Sequence, residues 1–94
     1  MDAFAVQMTG SAIDDLQDIR LRFRKQIVAA IKKLSANPLV SGTGVKKLKG
    51  FKPPLYRLRS GDYRILYRIE GGTITIMRLI DRKELEKTIR RLHL

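Results

Sequence analysis

Four arginines, Arg57, Arg59, Arg64 and Arg68, stand within LYRLRSGDYRILYRIE, the stretch from Leu55 to Glu70. Tyrosines and aliphatic residues separate them, and a Ser-Gly-Asp step divides the stretch in two. The planar guanidinium fork gives two hydrogen bonds to a phosphate and stays charged at any working pH. Several forks on one surface are therefore suited to a phosphodiester. Other chemistries have little to work with. There is no cysteine, so neither a disulfide framework nor a thiolate metal site can form. The single histidine, His93, lies next to the C-terminus and excludes a multi-histidine metal centre within one chain. No metal and no cofactor are expected. Ser11, Ser35, Ser41 and Ser60 have no evident base, and Asp14, Asp15 and Asp18 read as the solvated N-terminal face of a helix.

One reaction remains open to a basic site. RNA carries its own nucleophile, the 2′-hydroxyl. A protein need only align it with the adjacent phosphate, neutralise charge in the transition state and help protons move. Arginine and lysine perform the first two tasks. A lysine whose pKa is lowered by crowding cations would serve as a base, whereas Arg57 scarcely deprotonates.

The charge distribution supports a polyanion. The formal net charge is +11, and residues 1–31 contribute none of it, with four basic and four acidic side chains. Between Lys46 and Arg68 eight positive charges face Asp62 alone. Such a field attracts nucleic acid, an anionic membrane or an acidic protein segment. The 94 residues, 44% of them apolar, suffice for one domain, 1–94, with one core. No apolar run approaches the length that crosses a bilayer, and MDAFAVQ lacks the basic start and apolar stretch of a secretion signal. A soluble cytoplasmic protein is the expectation.

The elements that must position the arginines follow from periodicity. Phe4 to Thr9 alternates like a strand, at the edge or centre of a sheet. Ser11 reads as a helix N-cap with Asp14 three residues on. Ile13, Leu16 and either Ile19 or Arg20 mark one helical face; Phe23, Ile27, Ile31 and Leu34, joined by Val28 and Ala30, mark the next. These runs form one long helix or a hairpin bending near Arg20 to Arg22, ended by Asn37 and Pro38. LVSGTGVKKLKGFKPP is a loop whose Val45 to Leu48 grazes the domain. Leu55–Arg59, Tyr63–Glu70 and Thr73–Ile80 are strands joined by Ser60-Gly61-Asp62 and Gly71-Gly72, turns too short for anything but antiparallel pairing. Asp81 caps a last helix with the apolar stripe Leu85, Ile89 and Leu92. The layout is β-α-α-β-β-β-α, an α+β domain with helices on one sheet face and charge on the other.

Strand alternation places Arg57 and Arg59 on one face, and Arg64, Leu66 and Arg68 together. Ile74, Ile76, Arg78 and Ile80 form a row in which Arg78 is an interruption, at the end of that face or paired with Asp62 or Glu70. Tyr63 and Tyr67 read as core residues with hydroxyls at the rim.

With KKLKG at Lys46 to Gly50, LYRLRSGDYRILYRI at Leu55 to Ile69 and IDRKELEK at Ile80 to Lys87, the chain resembles the RelE/ParE toxin superfamily of type II toxin–antitoxin systems. The resemblance spans nearly the whole chain and favours the RelE-like branch. It implies a small antiparallel sheet flanked by two N-terminal helices and one C-terminal helix. It implies a ribosome-dependent endoribonuclease that cuts mRNA in the aminoacyl site. Carried over, Arg57 takes the place of a catalytic lysine, Arg64 holds the scissile phosphate and Arg82 stabilises charge or protonates the leaving 5′-oxygen. Lys47, Lys49, Lys52, Arg59, Arg68 and Arg78 are the accompanying RNA-binding candidates, Lys49 and Lys52 also as candidate bases. The chain departs from the family at Asp81, where histidine is frequent, and at Glu86 and Thr88, where a late tyrosine is expected. The ParE-like branch implies a DNA gyrase inhibitor instead, and a catalytically silent binding module is the third reading. Either branch implies an acidic, RelB-like antitoxin in a hetero-oligomer, contacting the Leu85, Ile89 and Leu92 stripe.

Overall fold

The computed structural model describes residues 3–38 and 44–93. The part of the expected loop at residues 39–43 lies outside the described residues. Among the described residues the elements are, in chain order, β1 (Ala5–Met8), α1 (Gly10–Asp18), α2 (Leu21–Ala36), β2 (Val45–Leu48), β3 (Leu55–Ser60), β4 (Tyr63–Glu70), β5 (Thr73–Asp81), a 3-10 turn (Arg82–Glu84) and α3 (Leu85–Leu92). The strands form one sheet in the order β1-β5-β4-β3-β2. It is mixed rather than wholly antiparallel, because β1 runs parallel to β5 at the edge. The α1–α2 hairpin carries the chain from β1 to β2 at the opposite edge, and the β2–β5 meander brings it back beside β1. Val45–Leu48 does more than graze the body: it is a fifth strand, antiparallel to β3.

Helix α1 begins two residues earlier than Ser11 suggests. Thr9 is the N-cap, and its hydroxyl accepts a hydrogen bond from the Ala12 amide at 3.1 Å. The buried face shifts accordingly: Ala12 and Ile19 are buried and Leu16 packs against them, while Ile13 remains 45% exposed. The helical region is a hairpin. Ile19 and Arg20 are extended, and Arg24 of α2 caps the end of α1 through Nε to Ile19 O and Nη2 to Gln17 O, both 2.6 Å.

The core has two parts, one on each sheet face. The α1–α2 pair covers Leu58, Ile65, Tyr67, Ile74, Ile76 and Leu79. On the opposite face α3 lays Leu85, Ile89 and Leu92 over Phe51, Leu55, Leu66 and Ile80. That second face is therefore shared between a small apolar core and the charges, not left to charges alone. Three layers result, helix pair, sheet and helix.

Two local features change the expected alternation. A β-bulge places Met77 and Arg78 together opposite Leu66. After it the phase of β5 reverses, so Ile74 and Ile76 face the helix pair and Ile80 faces α3. In addition, β1 ends at Met8, and α1 takes over the edge of β5. Thr9 Oγ1 donates to Met77 O at 2.8 Å, and the Leu79 amide donates to Asp15 Oδ2 at 2.9 Å. Tyr67 is fully buried, and its hydroxyl donates to Pro38 O at 2.6 Å, well inside rather than at the rim.

Candidate phosphodiester site

The site is built at the β3–β4 turn. Gly61 there has φ +57°, which glycine adopts without steric cost. Cross-strand partners in an antiparallel pair share a face. Arg57 lies opposite Leu66, Arg59 opposite Arg64, and Arg64 opposite Ile80. Leu66 and Ile80 belong to the α3-side core, so Arg57, Arg59 and Arg64 stand on that same side. They occupy its turn end, beside the apolar cover of α3.

Arg82 joins them from the start of the 3-10 turn. Its amide donates to Asp62 O at 2.8 Å, which fastens the end of β5 to the β3–β4 turn. Its Nε stands 3.9 Å from Asp62 Oδ1. Arg64 folds back towards the same turn, Nη1 donating to Gly61 O at 3.0 Å and to Tyr63 O at 2.9 Å. Arg57 leans towards β2, with Nη1 donating to Gly44 O at 3.0 Å. Partial burial and then the guanidiniums of Arg57, Arg59 and Arg82 lower the Arg64 pKa, while Asp62 opposes them. All four arginines thus share one electrostatic field with a single carboxylate.

The other candidates separate from this group. Lys49 and Lys52 lie beyond the Leu48–Leu55 end of the sheet, where Phe51 stacks on His93 with centroids 4.0 Å apart. From Leu55 to Arg59 the strand rises about 13 Å, so neither lysine stands at the turn. Lys47 pairs with Tyr56, whose ring packs on the helix side, whereas Lys46 pairs with Arg57 and inherits the arginine face. Lys46 was legible in principle: once β2 is recognised as the partner of β3, register alone assigns its side. Arg68 pairs with Thr75 farther along β4, and its Nε is buried without a hydrogen-bond partner. Arg78 pairs with neither Asp62 nor Glu70. It forms a two-pronged ion pair with Asp15, Nε to Oδ2 at 2.7 Å and Nη2 to Oδ1 at 3.0 Å. That hydrogen bond raises the Arg78 pKa. Asp15 is accordingly a structural partner and not part of a solvated face. Asp81 accepts from the Lys83 amide at 2.9 Å and lines a hollow of about 290 Å³ with Asp18, Glu84 and Arg91.

A family profile described as the ParE toxin of the type II toxin–antitoxin system, parDE, matches residues 6–86. This chain belongs to the ParE toxin family. Solved structures agree with that membership within the wider RelE/ParE superfamily. A chain of the RelBE2 toxin–antitoxin complex of Mycobacterium tuberculosis is 31% identical, with 86% of this toxin and 100% of that chain covered and a TM-score of 0.74. A chain of the archaeal RelE–RelB complex of Pyrococcus horikoshii is 26% identical over 86% of this toxin and 97% of that chain, TM-score 0.74. The isolated RelE toxin of Escherichia coli, 18% identical, shares the fold over 96% of this toxin and 99% of that chain, TM-score 0.69. Among curated proteins no match is found. The mixed five-stranded sheet with three helices is thus the toxin fold, with the arginine group at its β3–β4 end.

Proposed function

We propose that this toxin is a ribosome-dependent endoribonuclease that cleaves mRNA in the aminoacyl site, using the RNA 2′-hydroxyl as nucleophile. One observation carries the reading. Arg59 stands directly opposite Arg64, and Arg57 and Arg82 add to the same field. Like charges paired across strands are destabilising. A phosphodiester placed among them turns that repulsion into attraction, and most of all when negative charge builds up during in-line displacement. In this mechanism Arg64 holds the scissile phosphate, Arg57 binds beside it, and Arg82 stabilises charge at the leaving 5′-oxygen. The proton on the 2′-oxygen must go elsewhere, since a guanidinium does not accept it.

The same field gives the toxin its partner. A net charge of +11 binds polyanions indiscriminately unless neutralised. The relatives from Mycobacterium tuberculosis and Pyrococcus horikoshii were solved as toxin–antitoxin complexes, the latter with RelB. An acidic antitoxin is the corresponding partner here. Leu85, Ile89 and Leu92 are half-buried against the sheet. An antitoxin that uses this stripe must therefore displace α3.

The parDE description of the matched family favours one second reading, inhibition of DNA gyrase. Induced expression with labelled precursors divides the two. The nuclease stops protein synthesis first and leaves codon-phased cuts in translated mRNA by primer extension. Arg64→Ala with Arg82→Ala abolishes those cuts, each substitution costing about 10²-fold or more. DNA breaks with continuing early translation, or identical cut patterns from both proteins, would replace the nuclease reading.

A further inference from the structure

The nuclease reading leaves one task unassigned, removal of the 2′-hydroxyl proton. We propose that Asp62 is the general base. The inference rests on the endoribonuclease reading and adds a residue to it.

Among the described residues Asp62 is the carboxylate that acts electrostatically on Arg64, and one of its oxygens lies 3.9 Å from Arg82 Nε. It sits at the tip of the turn whose two other carbonyls hold the Arg64 guanidinium. The separation from Arg82 exceeds a hydrogen bond, and no described residue donates to the Asp62 carboxylate. Its side chain is 73% exposed. The carboxylate is therefore exposed beside the guanidiniums, with no described side chain or amide hydrogen-bonded to it. A structural ion pair looks different in the same molecule: Asp15 accepts three hydrogen bonds, two from Arg78 and one from the Leu79 amide.

Other acceptors are placed or occupied differently. Asp81 pairs with Tyr63 across the strands, one step from the Arg64–Ile80 pair, so alternation turns it to the opposite face. Its carboxylate also caps the 3-10 turn. Glu70 ends β4 at the far edge, opposite Thr73. His93 is stacked on Phe51, beside Gly50. Lys46 shares the arginine face but stands opposite Arg57, towards the β2 edge.

The step balances without a further reactant other than water. The Asp62 carboxylate takes the proton from O2′, and the released electron pair forms the O2′–P bond. The P–O5′ bond breaks, its electrons leave on O5′, and O5′ takes a proton from water. The products are a 2′,3′-cyclic phosphate and a 5′-hydroxyl, and Asp62 returns its proton to solvent. Charge is redistributed favourably: the carboxylate becomes neutral as the pentacoordinate phosphorus centre gains negative charge. The arginines face the same total charge throughout, located on the group they bind.

The test is single-turnover cleavage of ribosome-bound mRNA by the full-length toxin over the acid-to-neutral pH range. Wild type, Asp62→Asn, Asp62→Glu and Arg64→Ala are compared. Asparagine suits turns, so Asp62→Asn folds. It lowers the cleavage rate by about 10²-fold or more, leaves the concentration for half-saturation within a factor of about three, and abolishes the decline of rate towards low pH. Asp62→Glu retains that decline and recovers part of the rate. A wild-type rate in Asp62→Asn, or a reduced rate that still declines with acid as wild type does, overturns the assignment and directs attention to Lys46. If wild type itself leaves mRNA intact, as Arg64→Ala does, the nuclease reading falls and the base assignment with it.

Discussion

At the residue scale, this chain uses arginine for two purposes that only its neighbours distinguish. Arg78 is satisfied by Asp15, with 30% and 16% of the two side chains exposed, and the carboxylate also fills the vacancy in the β5 ladder at the Leu79 amide. Arg59 and Arg64 face each other with no acid between them. The first arrangement satisfies a guanidinium within the fold; the second leaves like charges opposed, which is the feature the proposed nuclease function uses. Asp15→Ala leaves a partly buried guanidinium and a backbone amide without their acceptor, at a cost of about 2 kcal/mol in urea unfolding. A double-mutant cycle with Arg78→Met returns a favourable coupling energy of about 1 kcal/mol or more if the pair is structural in this sense. Sequence spacing identified all three arginines as notable. It could not assign their partners, because Asp15 and Arg78 are separated by 63 positions and meet only when α1 covers the β5 edge.

At the scale of elements, β4 links the two sides of the sheet. Tyr67 is buried under the helix pair, stacked on Tyr56 with ring centroids 5.5 Å apart, and bonded to Pro38 at the exit of α2. Burial first, and the neighbouring Tyr56 second, raise its pKa. A pKa raised by folding means that the folded state prefers the protonated phenol. The resulting stability is complete below the unfolded value of about 10 and is lost as pH rises above it. Wild-type stability should therefore fall steeply in alkali above about pH 10, and Tyr67→Phe should flatten that fall while lowering stability near neutrality by about 1–3 kcal/mol. Denaturant titrations at a series of pH values measure both effects. Alternation made Tyr67 a core candidate. The depth of its hydroxyl was not legible, since it depends on where the chain leaves α2. The same holds for β5, where the bulge at Met77 and Arg78 breaks the period-two pattern and reverses the faces beyond it. A reading that assumes unbroken alternation necessarily places Ile74, Ile76 and Ile80 together.

At the scale of the whole molecule, charge is segregated. The first 31 residues are neutral and the remainder carries the whole +11. The four-arginine group sits at one end of the sheet, and Lys49, Lys52 and Arg68 lie towards the other. Binding to single-stranded RNA should fall with salt, and each alanine substitution among Arg57, Arg59, Arg64 and Arg82 should lower the slope of log affinity against log salt by about 0.7. Substituting Lys49 or Lys52 should alter the slope less if the bound strand follows the arginine end. Fluorescence anisotropy across a salt series gives these slopes directly.

Composition and period alone determined the basic character, the helix–strand layout, the antiparallel meander from Leu55 to Ile80, and the set of arginines from which a site could be drawn. Those properties are local, fixed by side-chain charge, by turn residues and by the repeat of each element. Tertiary structure decided the parallel placement of β1, the pairing of β2 with β3, the reversal at the bulge and the partner of each charge. These are matters of register and approach between segments distant in the chain. The arrival of Arg82 beside Arg57, Arg59, Arg64 and Asp62 belongs to this second class, because it depends on the Arg82 amide donating to Asp62 O at the β3–β4 turn.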